Sequence, residues 1–233
     1  MIDQKISTAS AAVQDCLAKL DVDLIGIASL PDLNGSKLEE TALRLLPAAH
    51  SIVVFAMEVY AEILYQARPE RAMGKASLNE LLDRNAEFLS SRLTKAAYDV
   101  AKVSHKNGLK ALPLPAAGCP TDARFLEAVF SYKHAGQAAG LGHIGRSSLL
   151  ITPDFGPRVR LSCCLTEAQL KPSKVAATGL CESCDICIKN CPSGALSRPP
   201  AKEVYSINKF ACSSFRNASG GCSECMRLCP AGR

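Results

Sequence analysis

Eight of the twelve cysteines of this 233-residue chain fall between residues 181 and 229, in two runs that share one rhythm. The first is Cys181-x2-Cys184-x2-Cys187-x3-Cys191-Pro192; the second is a lone Cys212 followed by Cys222-x2-Cys225-x3-Cys229-Pro230. This is the spacing with which thiolates hold [4Fe-4S] cubanes: three closely spaced sulfurs take three corners of one cluster, and the fourth cysteine of the run ligates the other. Exchanging the last cysteine of each run gives one cluster on Cys181, Cys184, Cys187 and Cys229 and a second on Cys191, Cys212, Cys222 and Cys225. Two zinc sites would also use eight thiolates but would leave the x2-x2-x3-Pro rhythm unexplained. Cys16, Cys119, Cys163 and Cys164 share no ligand spacing and read as small buried hydrophobes. Of these, Cys119 lies in a Gly-Cys-Pro loop, where a thiol would be accessible.

Nearly half the composition is apolar, 48%, which excludes a disordered chain. The first twenty residues carry neither a basic nor an apolar export region, and the longest apolar run, Ile52 to Met57, is far too short to cross a bilayer. Clustered thiols without an export signal are expected to stay reduced, so the expected compartment is the cytoplasm and the expected ligand is metal. The formal charge of +5 is uneven: residues 1–170 hold 18 basic and 18 acidic side chains, residues 171–233 hold 9 and 4. Two oxidised clusters at about −2 each, cysteines included, would offset most of that excess. The basic residues therefore read as counter-charges, and nucleic acid is not an expected partner.

The fold reads as α/β with segregated parts. Periodicity predicts an amphipathic helix over residues 5–20, strands at 23–30 and 51–59, and a long helix capped by Ser77 and Glu80. Leu78, Leu81, Leu82, Phe88, Leu89, Leu93, Ala96, Ala97, Val100 and Val103 form its core stripe. Asn85 interrupts the stripe and reads as an amide bonded to nearby backbone. Gly108 ends that helix, and the prolines of GLKALPLPA predict an edge strand. A further helix is expected over Asp122 to Ala139, then two strands around Pro-Asp-Phe-Gly-Pro. KPSKVAATG reads as a linker, which divides the chain into domains 1–170 and 171–233.

GLGHIG at 140–145 satisfies G-x-G-x-x-G, but a helix precedes it and a strand follows, the reverse of a dinucleotide turn. A nicotinamide site is excluded on that order. Two readings stand side by side: a helix cap with a tight turn, or bare backbone that lets a bulky ligand approach between His143 and Arg146.

The segments AGLGHIGRSSLLITPDFGPRVRLSCCLTE, CESCDICIKNCP and CSECMRLCP, with LPAAHSIVVFAM upstream, resemble the epoxyqueuosine reductases and the corrinoid-dependent reductive dehalogenases. The resemblance implies a nitroreductase-like α/β core that holds cobalamin in place of flavin, followed by a ferredoxin-like domain with two [4Fe-4S] clusters. Gly140, Gly142, His143, Gly145, Arg146 and Ser147 would lie against the corrinoid, with FMN or no cofactor as the alternatives. Epoxyqueuosine reductases continue into a tRNA-binding extension where this sequence stops, and the position of their proton-donating aspartate counts here to Leu126. On both grounds tRNA is not the expected substrate. Glu127, Tyr132 and Lys133 are the candidate proton donors.

The expected function is that of an iron-sulfur oxidoreductase passing single low-potential electrons to a corrinoid or a small-molecule substrate. The alternatives are a reductive activator of a separate corrinoid protein and a ferredoxin-like electron carrier. A low-potential donor such as ferredoxin or flavodoxin is the expected upstream partner, with no role for a membrane.

Overall fold

The computed structural model describes residues 2–67, 72–73, 76–116, 119–174, 181 and 183–232. The chain forms two compact units from interleaved segments. One comprises Met1–Met57, Leu89–Leu141 and Arg160–Val175; the other comprises Glu58–Phe88, Gly142–Val159 and Ala176–Arg233.

The first unit is organised around the apolar run. SIVVFAME forms β2 (Ser51–Glu58), in which Ile52 to Ala56 are wholly buried. A strand apolar on both faces must be covered on both, which is why β2 sits inside the four-stranded sheet β1-β2-β10-β5. Its antiparallel neighbour β1 (Leu24–Ser29) pairs Leu24 with Ala56 and Ser29 with Ser51. At the far side β10 (Val159–Thr166) pairs antiparallel with β5 (Ala111–Leu114), Cys164 opposite Pro113. Proline lacks the N–H of a ladder, and β5 is an edge strand as its prolines predict. Helices α1 (Ile2–Leu17) and α4 (Asn79–Lys106, from Leu89 onward) bring Val13, Leu17, Leu93, Ala97 and Val100 into the core. Between β1 and β2 lies α2 (Lys37–Leu45), whose first turn is capped by Ser36 accepting from the Glu39 N–H at 3.1 Å.

Four expectations fail locally. The long helix begins at Asn79, so Ser77, in a short strand, does not stand at its N-cap position. In its first turns Leu81 and Phe88 are 51% and 56% exposed, so the core stripe starts at Leu89, where α4 meets the sheet-bearing unit. Asn85 does not bond nearby backbone through its carbonyl: its Oδ1 has no partner among the described residues. The expected helix over 122–139 survives only as α5 (Tyr132–Ala138). Its first half is a hairpin, β6 (Thr121–Asp122) with β7 (Glu127–Ala128), turned by Leu126 at φ +48°. Asp122 accepts from the Arg124 backbone N–H at 3.0 Å and from its guanidinium at 2.8 and 3.0 Å, closing the turn instead of a helical one.

The second unit has little regular structure. It contains α3 (Ala61–Gln66), a hairpin of β3 (Ala72–Met73) and β4 (Ala76–Ser77), and a hairpin of β8 (His143–Ile144) and β9 (Leu150–Ile151). The cysteine region supplies α6 (Ile186–Lys189), β11 (Leu196–Ser197) paired with β12 (Ser206–Ile207), α7 (Lys209–Ala218) and α8 (Glu224–Arg227). Each cysteine run thus opens a single helical turn, α6 or α8, and ends at a Cys-Pro where proline cannot continue a helix. The two turns pack on each other, α8 also packs on α3, and α6 on β11.

Candidate metal centre

Several thiols of the second unit lie near enough to influence one another. Burial pushes the Cys187 thiol above its ordinary value, and the neighbouring thiols of Cys181, Cys184 and Cys229 push it further. Cys212 is raised by burial and then by Cys222 and Cys191. Cys225 is pushed up to about 12 by burial, then by Cys222 and Cys212, with Cys187 and Cys191 beyond them. Repulsion of this kind falls off with distance, so Cys229 is a neighbour of Cys187, and Cys191 a neighbour of Cys212 and Cys225. Thiols so arranged resist ionisation until a cation arrives, and metal binding supplies that driving force. Among the described residues no three His, Cys, Asp or Glu side chains converge on a point as the ligands of a single ion do. The sulfurs are grouped without converging.

Several groups are placed to hold negative charge on sulfur. Burial works against ionisation of Cys191, yet its value lies below the ordinary one because Ser193 and the backbone N–H groups of Leu196, Ala195 and Ser193 aim at it. The Ser193 hydroxyl lies 3.4 Å from the Cys191 sulfur. Beside Cys222, the hydroxyl of Ser223 is buried with no partner among the described residues. A buried hydroxyl without a partner costs free energy unless something not yet counted accepts from it.

Asp185, between Cys184 and Cys187, anchors the first run. Its buried carboxylate pairs with Arg146 and accepts from the Arg198 Nε at 2.9 Å. The Arg198 guanidinium first, and Arg146 after it, hold the Asp185 carboxyl below the usual range. Arg146 also donates to the Cys184 carbonyl at 3.3 Å. Nothing in the cysteine spacing signals this ion pair; the available hint is an acid set between two ligands.

The glycine run is divided between the units. Gly140, with φ +77°, follows the last turn of α5 as a helix-capping residue in the first unit. Gly142 and Gly145 are in the second. A Cβ on Gly142 would stand 2.0 Å from the Ile151 carbonyl oxygen; one on Gly145 would stand 2.7 Å from the Ile151 side chain and 2.9 Å from the Cys181 sulfur. The run therefore lies against Cys181. His143 is buried, its Nε2 has no partner among the described residues, and burial holds its pKa below the ordinary value, so the imidazole is neutral at pH 7. Ser147, four residues on, is also buried.

The candidate proton donors lie in the first unit. Glu127 stands on the exposed hairpin strand β7, not on a helix, and pairs with Lys37 at 2.9 Å. Tyr132 opens α5 and donates to the Pro115 carbonyl at 2.8 Å; burial first, then Cys119 and Cys163, hold its hydroxyl protonated. Lys133 follows it on the same turn. Cys163 and Cys164 are buried as expected, the latter pushed up to about 12, whereas Cys16 and Cys119 are half-buried.

No family model matches the chain. Over 159 residues, 60% of its length, it is 32% identical to a tetrachloroethene reductive dehalogenase of Desulfitobacterium hafniense. Over 108 residues, 42% of its length, it is 33% identical to an epoxyqueuosine reductase of Listeria monocytogenes. The chain is thus similar in sequence to both kinds of protein. The match spans 27% and 28% of those two proteins, so it corresponds to about a quarter of each. Solved structures show the same fold over nearly all of this chain. A catabolic reductive dehalogenase superposes with a TM-score of 0.69 at 20% identity, covering 95% of this chain and 31% of the other. An epoxyqueuosine reductase from Streptococcus thermophilus superposes with a TM-score of 0.57 at 15% identity, covering 95% and 65%. No helix among the described residues is long and apolar enough to cross a membrane.

Proposed function

We propose that the chain is an iron-sulfur oxidoreductase that carries two [4Fe-4S] clusters and delivers single low-potential electrons to a corrinoid or a small-molecule substrate. The observation that carries this reading is the grouping of Cys187 with Cys181, Cys184 and Cys229, and of Cys212 and Cys225 with Cys222 and Cys191. Cys229 influences the Cys187 thiol although the two are 42 residues apart in sequence, and a shared cluster would account for that proximity. Bound there, the clusters would supply one-electron reduction, and a corrinoid would supply a metal centre whose reduced form attacks carbon or accepts a leaving group.

The chain's own residues then have definable roles. The N–H groups around Cys191 and the Ser223 hydroxyl stabilise charge on sulfur, and Asp185 with Arg146 and Arg198 fixes the loop of the first run. Gly145 leaves room for the Cys181 sulfur. The segment Gly140 to Ser147 is assigned to the corrinoid. Because protein fills the Cβ side of Gly142 and Gly145, the ligand would meet this segment through backbone and through the neutral, unpartnered His143 Nε2. We assign residues 1–170 to a nitroreductase-like core and 171–233 to a ferredoxin-like module, working in the cytoplasm with a ferredoxin or flavodoxin as donor.

Anaerobically purified protein should contain about eight iron and eight acid-labile sulfide per chain. Zinc without sulfide would overturn the cluster assignment. Titration with cob(II)alamin should perturb the cobalt EPR signal, and His143→Ala should weaken that effect. Flavin binding seen by FMN fluorescence, or binding of neither compound, would overturn the corrinoid assignment while leaving the clusters in place.

A further inference from the structure

A cavity of about 570 Å³ lies within the second unit, beside the last cysteine of the second run. Among the described residues its walls include Leu64, Tyr65, Arg158, Arg227, Leu228 and Cys229. The cavity thus opens beside the side chain that the first cluster borrows from the second run. Helix α3 supplies one wall and the turn at α8 another, and these two helices pack together, so the cavity is built on paired elements of the same unit. Its size is that of an ordinary small-molecule site.

The charges of the walls decide what can enter. Arg158 pairs with Glu58 and donates to the Gly232 carbonyl at 2.6 Å and the Val59 carbonyl at 3.3 Å. Arg227 pairs with Glu224, its Nε donating to a carboxylate oxygen at 2.9 Å. Both guanidinium groups are thus matched by carboxylates, and the Glu62 carboxylate at the wall adds a further negative charge. Among the described wall residues an anionic ligand would find no uncompensated cation, and its desolvation would go unrewarded. What remains for contact is the half-exposed Tyr65 ring, Leu228 and the paired guanidinium groups. These surfaces suit a flat, apolar, conjugated molecule.

We propose that this cavity binds a small uncharged conjugated organic molecule of the quinone type and holds it next to Cys229. The assignment rests on the cluster reading for its redox meaning only; binding itself depends on the walls. A volume of about 570 Å³ holds a two- or three-ring compound but does not enclose a corrin with its amide side chains.

The test is anaerobic isothermal titration of the iron-loaded protein with 2-methyl-1,4-naphthoquinone. One saturable site per chain is expected, with 1,4-naphthoquinone-2-sulfonate binding at least about tenfold more weakly because its charge must be desolvated without a partner. Ala61 is an exposed wall residue, and Ala61→Trp should fill the cavity, weakening quinone binding at least about tenfold at unchanged iron content. Tyr65→Ala, at a half-exposed position, should weaken binding by about threefold to tenfold through loss of ring contact. Absence of saturation, equal affinity for the sulfonate, wild-type affinity in Ala61→Trp, or displacement of the quinone by cob(II)alamin would overturn the proposal. Iron and sulfide assays on the same samples separate the two readings: metal-loaded protein without quinone binding refutes the pocket, and quinone binding to protein that never acquires iron refutes the clusters.

Discussion

Asp185 shows how one residue ties two parts of the candidate site together. It sits between Cys184 and Cys187, and its carboxylate binds Arg146, next to the glycine that faces the Cys181 sulfur. Asp185→Asn keeps the shape but removes the charge, leaving two arginines without their acid. The loop of the first run should then open more often and expose its metal. Iron release to a chelator such as bathophenanthroline is expected to accelerate several-fold, and the second cluster's EPR signal should persist after the first is lost. Equal release rates in variant and wild type would show that the ion pair does not govern the loop.

At the scale of elements, the two cysteine runs behave as halves of one device. Turns α6 and α8 pack together, and in the proposed pairing each run lends its last cysteine to the other's set. Cys229→Ala should therefore damage the cluster on Cys181, Cys184 and Cys187, although Cys229 lies only four residues after Cys225 in sequence. EPR of the reduced protein should lose the signal of that centre, iron should fall from about eight to about four per chain, and the Cys212 centre should remain. Loss confined to the Cys222 and Cys225 centre would reverse the pairing. The sheet makes a separate demand. Phe55 is wholly buried in the middle of β2, and Phe55→Ala should cost about 3–5 kcal/mol through lost burial and the cavity left behind. The chemical-denaturation midpoint of the sheet-bearing unit checks this.

Across the whole molecule the two units are stabilised by different means. The first has a sheet and a core of aliphatic side chains; the second has turns, two-residue strands and eight grouped thiols. A region with so little apolar core relies on cross-links or metal to stay folded. Removing iron under anaerobic conditions should raise hydrogen exchange sharply over residues 183–232 while the amides of Val53 and Val54 stay protected. Uniform loss of protection in both units would show that the first unit depends on the metal as much as the second.

What could be read from residue order alone was what short-range geometry dictates. The x2-x2-x3-Pro rhythm places sulfurs through a few backbone bonds, so it marks candidate ligands before any coordinates. An unbroken apolar run such as Ile52 to Met57 has to be buried on both faces, so β2 was legible, and Pro113 in the 111–114 strand marked an edge. The rest depended on partners far away in the chain. Residues 121–128 have helical periodicity, yet the bonds from Arg124 to Asp122 and the turn at Leu126 close a hairpin, because local side-chain bonding outweighed a weak propensity. Leu81 and Phe88 continue a helical stripe but lie beyond the surface that α4 buries, which ends where the helix leaves the first unit. Arg146, Asp185 and Arg198, like Arg158 and Glu58, find one another across 13 to 100 residues. No sequence period encodes such pairings: each depends on the whole fold bringing two charges out of water together, and only the tertiary structure determines which charges those are.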